Sequence, residues 1–441
     1  MPNPLLESAV QSVEIEAFSK DIPDLVFAGT SLYSVFKARA KKYPVSSTTA
    51  GGGVTRPSFR VPFRVQSGAP ITQGTGNADS MLRGSGSQWQ DFAISPVFVM
   101  SVCEISWLAQ NATKGKNRGL FNVETQEMKN SLDSAMQGIE GLVNGDGSGA
   151  LEQIPSTATV VINGGPGQQV GSITGLNVAN VFSDQQVVQV FPSEGGTSRG
   201  SFTISYVDGV AQAIYAATPG LPSGTIPGDY LMVAGSSGVA GSSILGIKAW
   251  QVNSNTGTIG GLNRANFPGR LSTPTINLGG GALTPGVAQR ALVLLGRALG
   301  PDNKAADSAI WYGSAEQKYA ISNNYYNTQI TQNIEKGDSV PDTSRKYFPT
   351  SFGGREFVES WTADQTRLDL LLTDTWAIGE LCDLQLHDFG SGQTVVSVPD
   401  TGTTNGTYLN SYMFAYEACF NIANSAPRAG LYIQDIGTPT V

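Results

Sequence analysis

The chain has 441 residues, of which 14% are charged and 40% hydrophobic, with 53 glycines and a formal net charge of −8. That length exceeds one small core, so two or more packed units are expected. The acidic balance disfavours phosphate gripping as the main work, and the low charge fits either a surface covered by other copies of the chain or a low-charge extracellular β-protein.

The opening MPNPLLESAVQSVEIEAF has neither a basic start nor an apolar core, so it is not a secretory signal. No run approaches the ~18 apolar residues of a membrane span. Folding in a cytoplasm follows, with Cys103, Cys382 and Cys419 as reduced, buried or half-buried thiols. A Cys382–Cys419 disulfide is the weaker alternative.

In chain order, SLYSVFKARAKKY places Leu32, Val35 and Phe36 on a short helical stripe that ends in Lys37, Arg39, Lys41 and Lys42. Cations suit a helix C-terminus. The run reads as a solvated helix end, or as an arm against nucleic acid or an acidic neighbour. After a Gly-rich joint, RPSFRVPFRVQ alternates, with Phe59, Val61, Phe63 and Val65 on one face and Arg60, Pro62 and Arg64 on the other. A second strand is predicted from Gln90 to Val102, and Pro62 and Pro96 keep both from a central sheet position. The segment between them carries Gly68, Gly74, Gly76, Gly84 and Gly86 and fits poorly inside a compact domain. A long two-stranded ribbon must lie on something, and a neighbouring subunit is the natural support.

A helix is predicted over 122–143, with Met128, Leu132, Ala135, Met136, Ile139 and Val143 as its apolar stripe and Gln126, Lys129, Asp133, Gln137 and Glu140 elsewhere. Asn122 caps it and Gly145 follows its end. From Thr157 to Asn277 short β-rich runs (TATVVIN, QQVVQVF, SFTISYV, DYLMVAG, ILGIKAWQVN) predict a module of six to eight strands. Beyond it, Thr284-Pro285 opens a helix that stops at Gly300, SAIWYG is a strand, and Ser314 with Gln317 forms a capping box. Strands at GREFVES, RLDLLL, QTVVSV and YMFAYEACFNI follow, the last with Tyr412, Phe414, Tyr416, Ala418, Phe420 and Ile422 on one face. The fold class is therefore α+β.

Chemistry finds little footing. His387 is the only histidine and reads as an ordinary polar residue near a strand end. TVVINGGPGQQVG misses the dinucleotide-loop spacing and reads as a hairpin turn. Asn144-Gly-Asp-Gly-Ser-Gly149 lacks the closing Glu of a calcium loop and reads as a tight turn. The carboxylate pairs Glu380/Asp383 and Asp369/Asp374 carry no supporting motif. No catalytic residue, cofactor or metal site is expected, and the chain does not read as an enzyme.

The order of elements is distinctive: a basic-ended arm, a Gly-rich two-stranded loop, a long helix, the turn VNGDGSGAL (143–151), a β-rich module and an α+β domain. It resembles the major capsid proteins of tailed phages, the Hong Kong 97-like capsid fold. The stretch 228–269, from GDYLMVAG through GIKAWQVN to LNRANFPG, resembles the β part of related capsid subunits. The resemblance implies an N-terminal arm (1–50), an extended loop (51–104), a spine helix and the start of the peripheral domain (105–156), the β-rich peripheral domain (157–282), the axial domain (283–425) and a C-terminal return to the periphery (426–441).

It also implies a homo-oligomer of pentamers and hexamers in a shell, assembled in a host cytoplasm and carried in the virion. That shell encloses double-stranded DNA without sequence-specific binding and without a membrane, and has scaffold, portal and cement proteins as partners. Each loop drapes over a neighbouring copy. On this reading Phe59, Val61, Phe63, Phe92 and Ile94, with Arg83 at the loop tip, are assembly-interface residues. No lysine lies between Lys42 and Lys114, so the loop cannot make the lysine–asparagine cross-link of some members. Only about fifty residues precede the loop, so a separate scaffold or an already cleaved leader is expected. Two rivals share part of the pattern: an encapsulin-type non-viral shell, and a β-rich adhesin or tail protein.

Overall fold

A computed structural model describes residues 31–49, 55–66, 87–106, 123–162, 171–239, 241–299, 308–321, 351–352, 355–390, 393–399 and 408–437. Two compact units are present. The described parts of Phe98–Ile139 and Leu381–Phe420 make one, and those of Thr30–Val97, Glu140–Glu380 and Asn421–Val441 make the other.

The larger unit begins with helix α1 (Ser31–Arg39), strand β1 (Lys41–Tyr43) and a three-stranded sheet of β2 (Ser46–Thr49), β3 (Thr55–Gln66) and β4 (Gln88–Ile94). β3 pairs β2 over its first residues and β4 over the rest, so at Pro62, opposite Asp91, only one edge is paired. A residue without an amide proton is tolerated there. The predicted strand from Gln90 to Val102 is instead two strands that join different sheets: β4 pairs β3, and β5 (Val97–Ser106), which begins just after Pro96, pairs β22.

Helix α2 (Val123–Asn144) follows the predicted periodicity, with Ala135, Ile139 and Val143 buried. Its polar side is not all solvated: Asp133, Gln137 and Glu140 are buried as well. Glu140, 0% exposed, accepts the amide protons of Leu32 (2.8 Å) and Tyr33 (3.0 Å), and the Tyr312 hydroxyl donates to it at 3.3 Å. It thus satisfies orphan donors and meets the positive dipole end at the start of α1. The turn after α2 is built as expected: Asp146 Oδ1 accepts from the Ser148 amide (2.8 Å) and hydroxyl (2.6 Å). Gly149, at φ +88°, leaves no room for a Cβ against Ser236.

The β-rich region forms one antiparallel sheet of seven strands: β6 (Ala150–Gln153), β7 (Thr159–Val161), β8 (Ser172–Thr174), β9 (Val187–Phe191), β10 (Gly200–Asp208), β11 (Ala213–Ala216) and β12 (Tyr230–Val233), in the order β6-β12-β9-β10-β11-β8-β7. Of the glycines in the β7–β8 hairpin, Gly164, Gly165 and Gly167 lie outside the described residues, and the carbonyl of Gly171 accepts the Ala216 amide proton at 2.9 Å. ILGIKAWQVN, predicted as a strand, is instead the one-turn helix α3 (Ile247–Trp250). Tertiary packing overrides the β-propensity there: Ile247 and Trp250 are buried, and the Trp250 indole N–H donates to the Ile422 carbonyl at 3.1 Å.

After the short hairpin β13 (Thr258–Ile259) and β14 (Leu262–Asn263) come β15 (Thr275–Asn277), α4 (Pro285–Leu299), β16 (Ala309–Ser314), β17 (Ser351–Phe352), β18 (Arg355–Ser360) and β19 (Leu368–Leu372). β20 (Trp376–Leu386), β21 (Val396–Pro399), β22 (Tyr408–Asn424) and β23 (Leu431–Gln434) complete the chain. A six-stranded mixed sheet, β15-β23-β19-β16-β18-β17, holds the main core of the larger unit, where Ala288, Ala291 and Leu295 of α4 pack on Trp311, Leu370 and Leu431. The Ser314–Gln317 box is reciprocal: the Ser314 amide donates to Gln317 Oε1 (3.1 Å) and the Gln317 amide to Ser314 Oγ (3.3 Å).

In the smaller unit β5 pairs β22, and β21 pairs β22 at its start. One side of β5 packs Ile105 and Cys103 with Phe414, Tyr416, Leu386 and Met128. β20, absent from the predicted strands, carries Gly379 and two acidic residues that dilute its apolar signal.

Candidate assembly surfaces

Phe59, Val61, Phe63, Phe92 and Ile94, the expected interface residues, are all buried by their own chain. The Phe59 ring lies against Gly379, where a Cβ would come within 2.1 Å of it. Phe92 meets Trp250 edge-on at 5.0 Å, and Phe63 meets Phe92 at 5.3 Å and Phe267 at 5.9 Å. This corrects the expectation. Alternation identifies a covered face, but the cover comes from Trp250, Phe267 and Gly379, far away in sequence, and not from an exposed docking contact. Arg83 lies outside the described residues.

The opposite face of the β3–β4 ribbon is open. It presents Arg60, Pro62 and Arg64 beside Ala93, Asp91 and Trp89, with Arg64 paired to Trp89 across the strands. Trp89 is 60% exposed. Arg60 and Asp91 form an ion pair at 2.9 Å with both partners well exposed, worth about 0–1 kcal/mol. The sequence held the signal for this face, since the same alternation that buries one row exposes the other.

The smaller unit has a second open face. On β5, Phe98 (51%), Met100 and Val102 (59%) are exposed together with Glu104, and on β20 Leu381 (58%), Asp383 and Gln385 are exposed at alternate positions. A row of large exposed apolar side chains on one strand is a candidate interaction site. At its edge, His387 Nδ1 lies 2.5 Å from Glu417 Oε2, and the Gln385 amide donates to Glu417 Oε1 at 3.1 Å. Those bonds, Gln385 first and His387 next, hold the Glu417 carboxyl below the usual range. The His387 ring also meets Phe389 edge-on at 4.7 Å and Phe98 at 6.5 Å.

Asp369 is held by Arg367, whose guanidinium also lies 4.2 Å from the centre of the Tyr432 ring. Burial, with Glu127 and then Glu104 adding charge, pushes the Cys103 thiol up to about 12. None of the three cysteines is in a disulfide, so the Cys382–Cys419 bridge is absent. Among the described residues no group of three or more His, Cys, Asp or Glu side chains could hold a metal ion, and no helix is long and apolar enough to cross a membrane.

The sequence matches no protein-family model and no curated protein. The fold does find relatives among solved structures. A chain of the cyanophage A-1(L) capsid asymmetric unit aligns over 96% of this chain and 97% of its own, with a TM-score of 0.52 at 11% identity. A chain from Gordonia phage Cozz aligns over 95% and 90%, with TM-score 0.46 and 11% identity, and the SrpI encapsulin of Synechococcus elongatus over 98% and 96%, with TM-score 0.41 and 8% identity. The class defined by the first likeness, end to end, is the α+β capsid-subunit fold that the order of elements resembles.

Proposed function

We propose that this chain is the major capsid protein of a tailed virus, which assembles as pentamers and hexamers into the icosahedral shell around double-stranded DNA. The supporting observation is the alignment of nearly every element with a cyanophage capsid subunit, with no large part left over on either chain. The shell reading also accounts for two open faces on one chain, a ribbon bearing arginine and tryptophan and a sheet bearing Phe98, Met100 and Val102. Two different faces that meet in head-to-tail fashion give closed rings whenever the rotation between copies closes. In this reading residues 51–104 are the extended loop, draped over a neighbour by its Arg60/Arg64/Trp89 face, while the apolar row holds it to its own subunit. The arm, spine-helix, peripheral and axial assignments are those of the resemblance. Scaffold, portal and cement proteins are separate partners, and the product is a virion component assembled in the host cytoplasm.

Negative-stain electron microscopy of the purified chain beside size-exclusion chromatography tests this. Closed shells or five- and six-membered rings are expected, and a variant lacking 67–87 should stay folded without closing shells. Monomers or trimers that persist when the candidate scaffold is added would overturn the assignment.

A further inference from the structure

From Gln153 to Ser183 the chain contains no charged residue, against a net charge of −8 for the whole. This stretch holds β7 and β8, and β7 ends the seven-stranded sheet with no further strand beyond it among the described residues. Thr159 and Val161 are exposed, Val161 at 41%. In an antiparallel strand alternate residues turn their N–H and C=O groups to opposite sides, so β7 offers outward those that β8 does not take. Proteins ordinarily blunt such an edge with lysine, proline or a bulge. β7 has none of the three: it reads Thr-Val-Val and pairs β8 without a shift of register.

The edge is continuous with an exposed aromatic face. Val161 lies opposite Ser172, Ser172 opposite Tyr215 and Tyr215 opposite Tyr206, so the four share one side of the sheet. The two tyrosine rings stack at 5.2 Å, and Tyr206 is 43% exposed. The exposed acids of this region, Asp184 and Glu194, lie beyond the charge-free stretch. A second copy carries the same acidic charge, and at this edge it can approach without setting like charges against each other. We propose that β7 pairs antiparallel with β7 of a second copy across a two-fold axis, with Val160 opposite Val160 and Thr159 opposite Val161, so that one sheet runs through both copies. A three-residue strand paired along its whole length with its own copy must place its middle residue at the axis. The inference rests on the shell reading above and adds a second kind of contact to it. Head-to-tail docking closes rings, whereas this self-complementary contact joins one ring to the next. Three residues a side bury much less than the ~1,000 Å² of a stable interface, so the contact acts when a ring presents many copies at once.

The test assembles the full chain as wild type, Val161→Lys and Val161→Thr and views each by negative-stain electron microscopy. Both variants change an exposed edge position and should leave the urea midpoint unchanged. Val161→Lys supplies the missing guard on the edge and should give rings but lose closed shells. Val161→Thr keeps a branched, uncharged side chain and should close as the wild type does. Val160→Cys sets two thiols across the axis with Cα atoms ~4.5–5.5 Å apart, within reach of a disulfide. Its oxidised particles should run on a non-reducing gel with covalent dimers beyond those that the three native cysteines give the wild type. Closed shells from Val161→Lys, equal loss of shells in both Val161 variants, or no added dimer from Val160→Cys would overturn the inference while leaving the shell reading intact. A wild type that forms neither rings nor shells, even with the candidate scaffold present, would overturn the shell reading itself.

Discussion

Glu152 on β6 is buried, and its carboxylate accepts the amide protons of Asn177 at 2.5 Å and Val178 at 3.3 Å. Burial pushes its carboxyl up to about 8, with the Asn177 amide opposing and the charge of Asp364 adding. An unfolded glutamate titrates near ~4.3. Between those values the folded chain keeps a proton that the unfolded chain has released. The stability due to this group is therefore complete below about pH 4.3 and is lost as the pH rises toward about 8, at no more than ~1.4 kcal/mol per pH unit. Glu152→Gln is neutral throughout and should flatten that dependence. Urea midpoints at about pH 6 and about pH 8 measure it, and parallel slopes for the two proteins would remove Glu152 as the cause. Nothing in the sequence around Glu152 or Glu140 announces either role. A buried acid is defined by what surrounds it, here the amides of Leu32 and Tyr33 or of Asn177 and Val178, contributed from distant segments. The single His387 was legible as polar and near a strand end, but its Glu417 partner depended on strand pairing that spacing alone does not fix.

Elements were legible where a local rule specifies them. The Ser314–Gln317 box, the stripe of α2 and the GDGSG turn are each set by residues within a few positions of one another. α3 and β20 were not, because Trp250 obeys a distant carbonyl and Gly379 obeys a distant ring. That second case gives a measurable coupling. In β20, Gly379 pairs with Tyr43 of β1 and has the Phe59 ring of β3 lying over it. Gly379→Ala must push the ring aside and should cost about 1–3 kcal/mol by overpacking. Phe59→Leu by itself loses packing but makes room. The double variant should then be more stable than the sum of the two single losses predicts, by roughly 0.5 kcal/mol or more, in a urea-denaturation cycle. Strict additivity would mean that the ring and the strand do not share this space.

At the scale of the whole molecule, the order of elements was readable because each capsid-type segment leaves its own periodicity, whereas the covering of the ribbon was not. An apolar row says that something covers it, not which chain the cover belongs to. The outward rows therefore carry the assembly argument, and the head-to-tail logic makes it separable. If the Arg60/Arg64/Trp89 ribbon docks on the Phe98/Met100/Val102 sheet of a neighbour, each copy has one donor and one acceptor face. Trp89→Ser spoils the donor and leaves the acceptor, and Phe98→Asp does the reverse; both positions are more than half exposed, so folding should be little affected. Each variant alone should remain monomeric. An equimolar mixture offers one intact donor and one intact acceptor, so it should form pairs that cannot grow, because a heterologous contact extends only when both faces of every copy are intact. Sedimentation velocity distinguishes the cases directly. A dimer peak that appears only on mixing fixes the two faces as mutual partners, while monomers in the mixture would mean that ribbon and sheet dock on other surfaces.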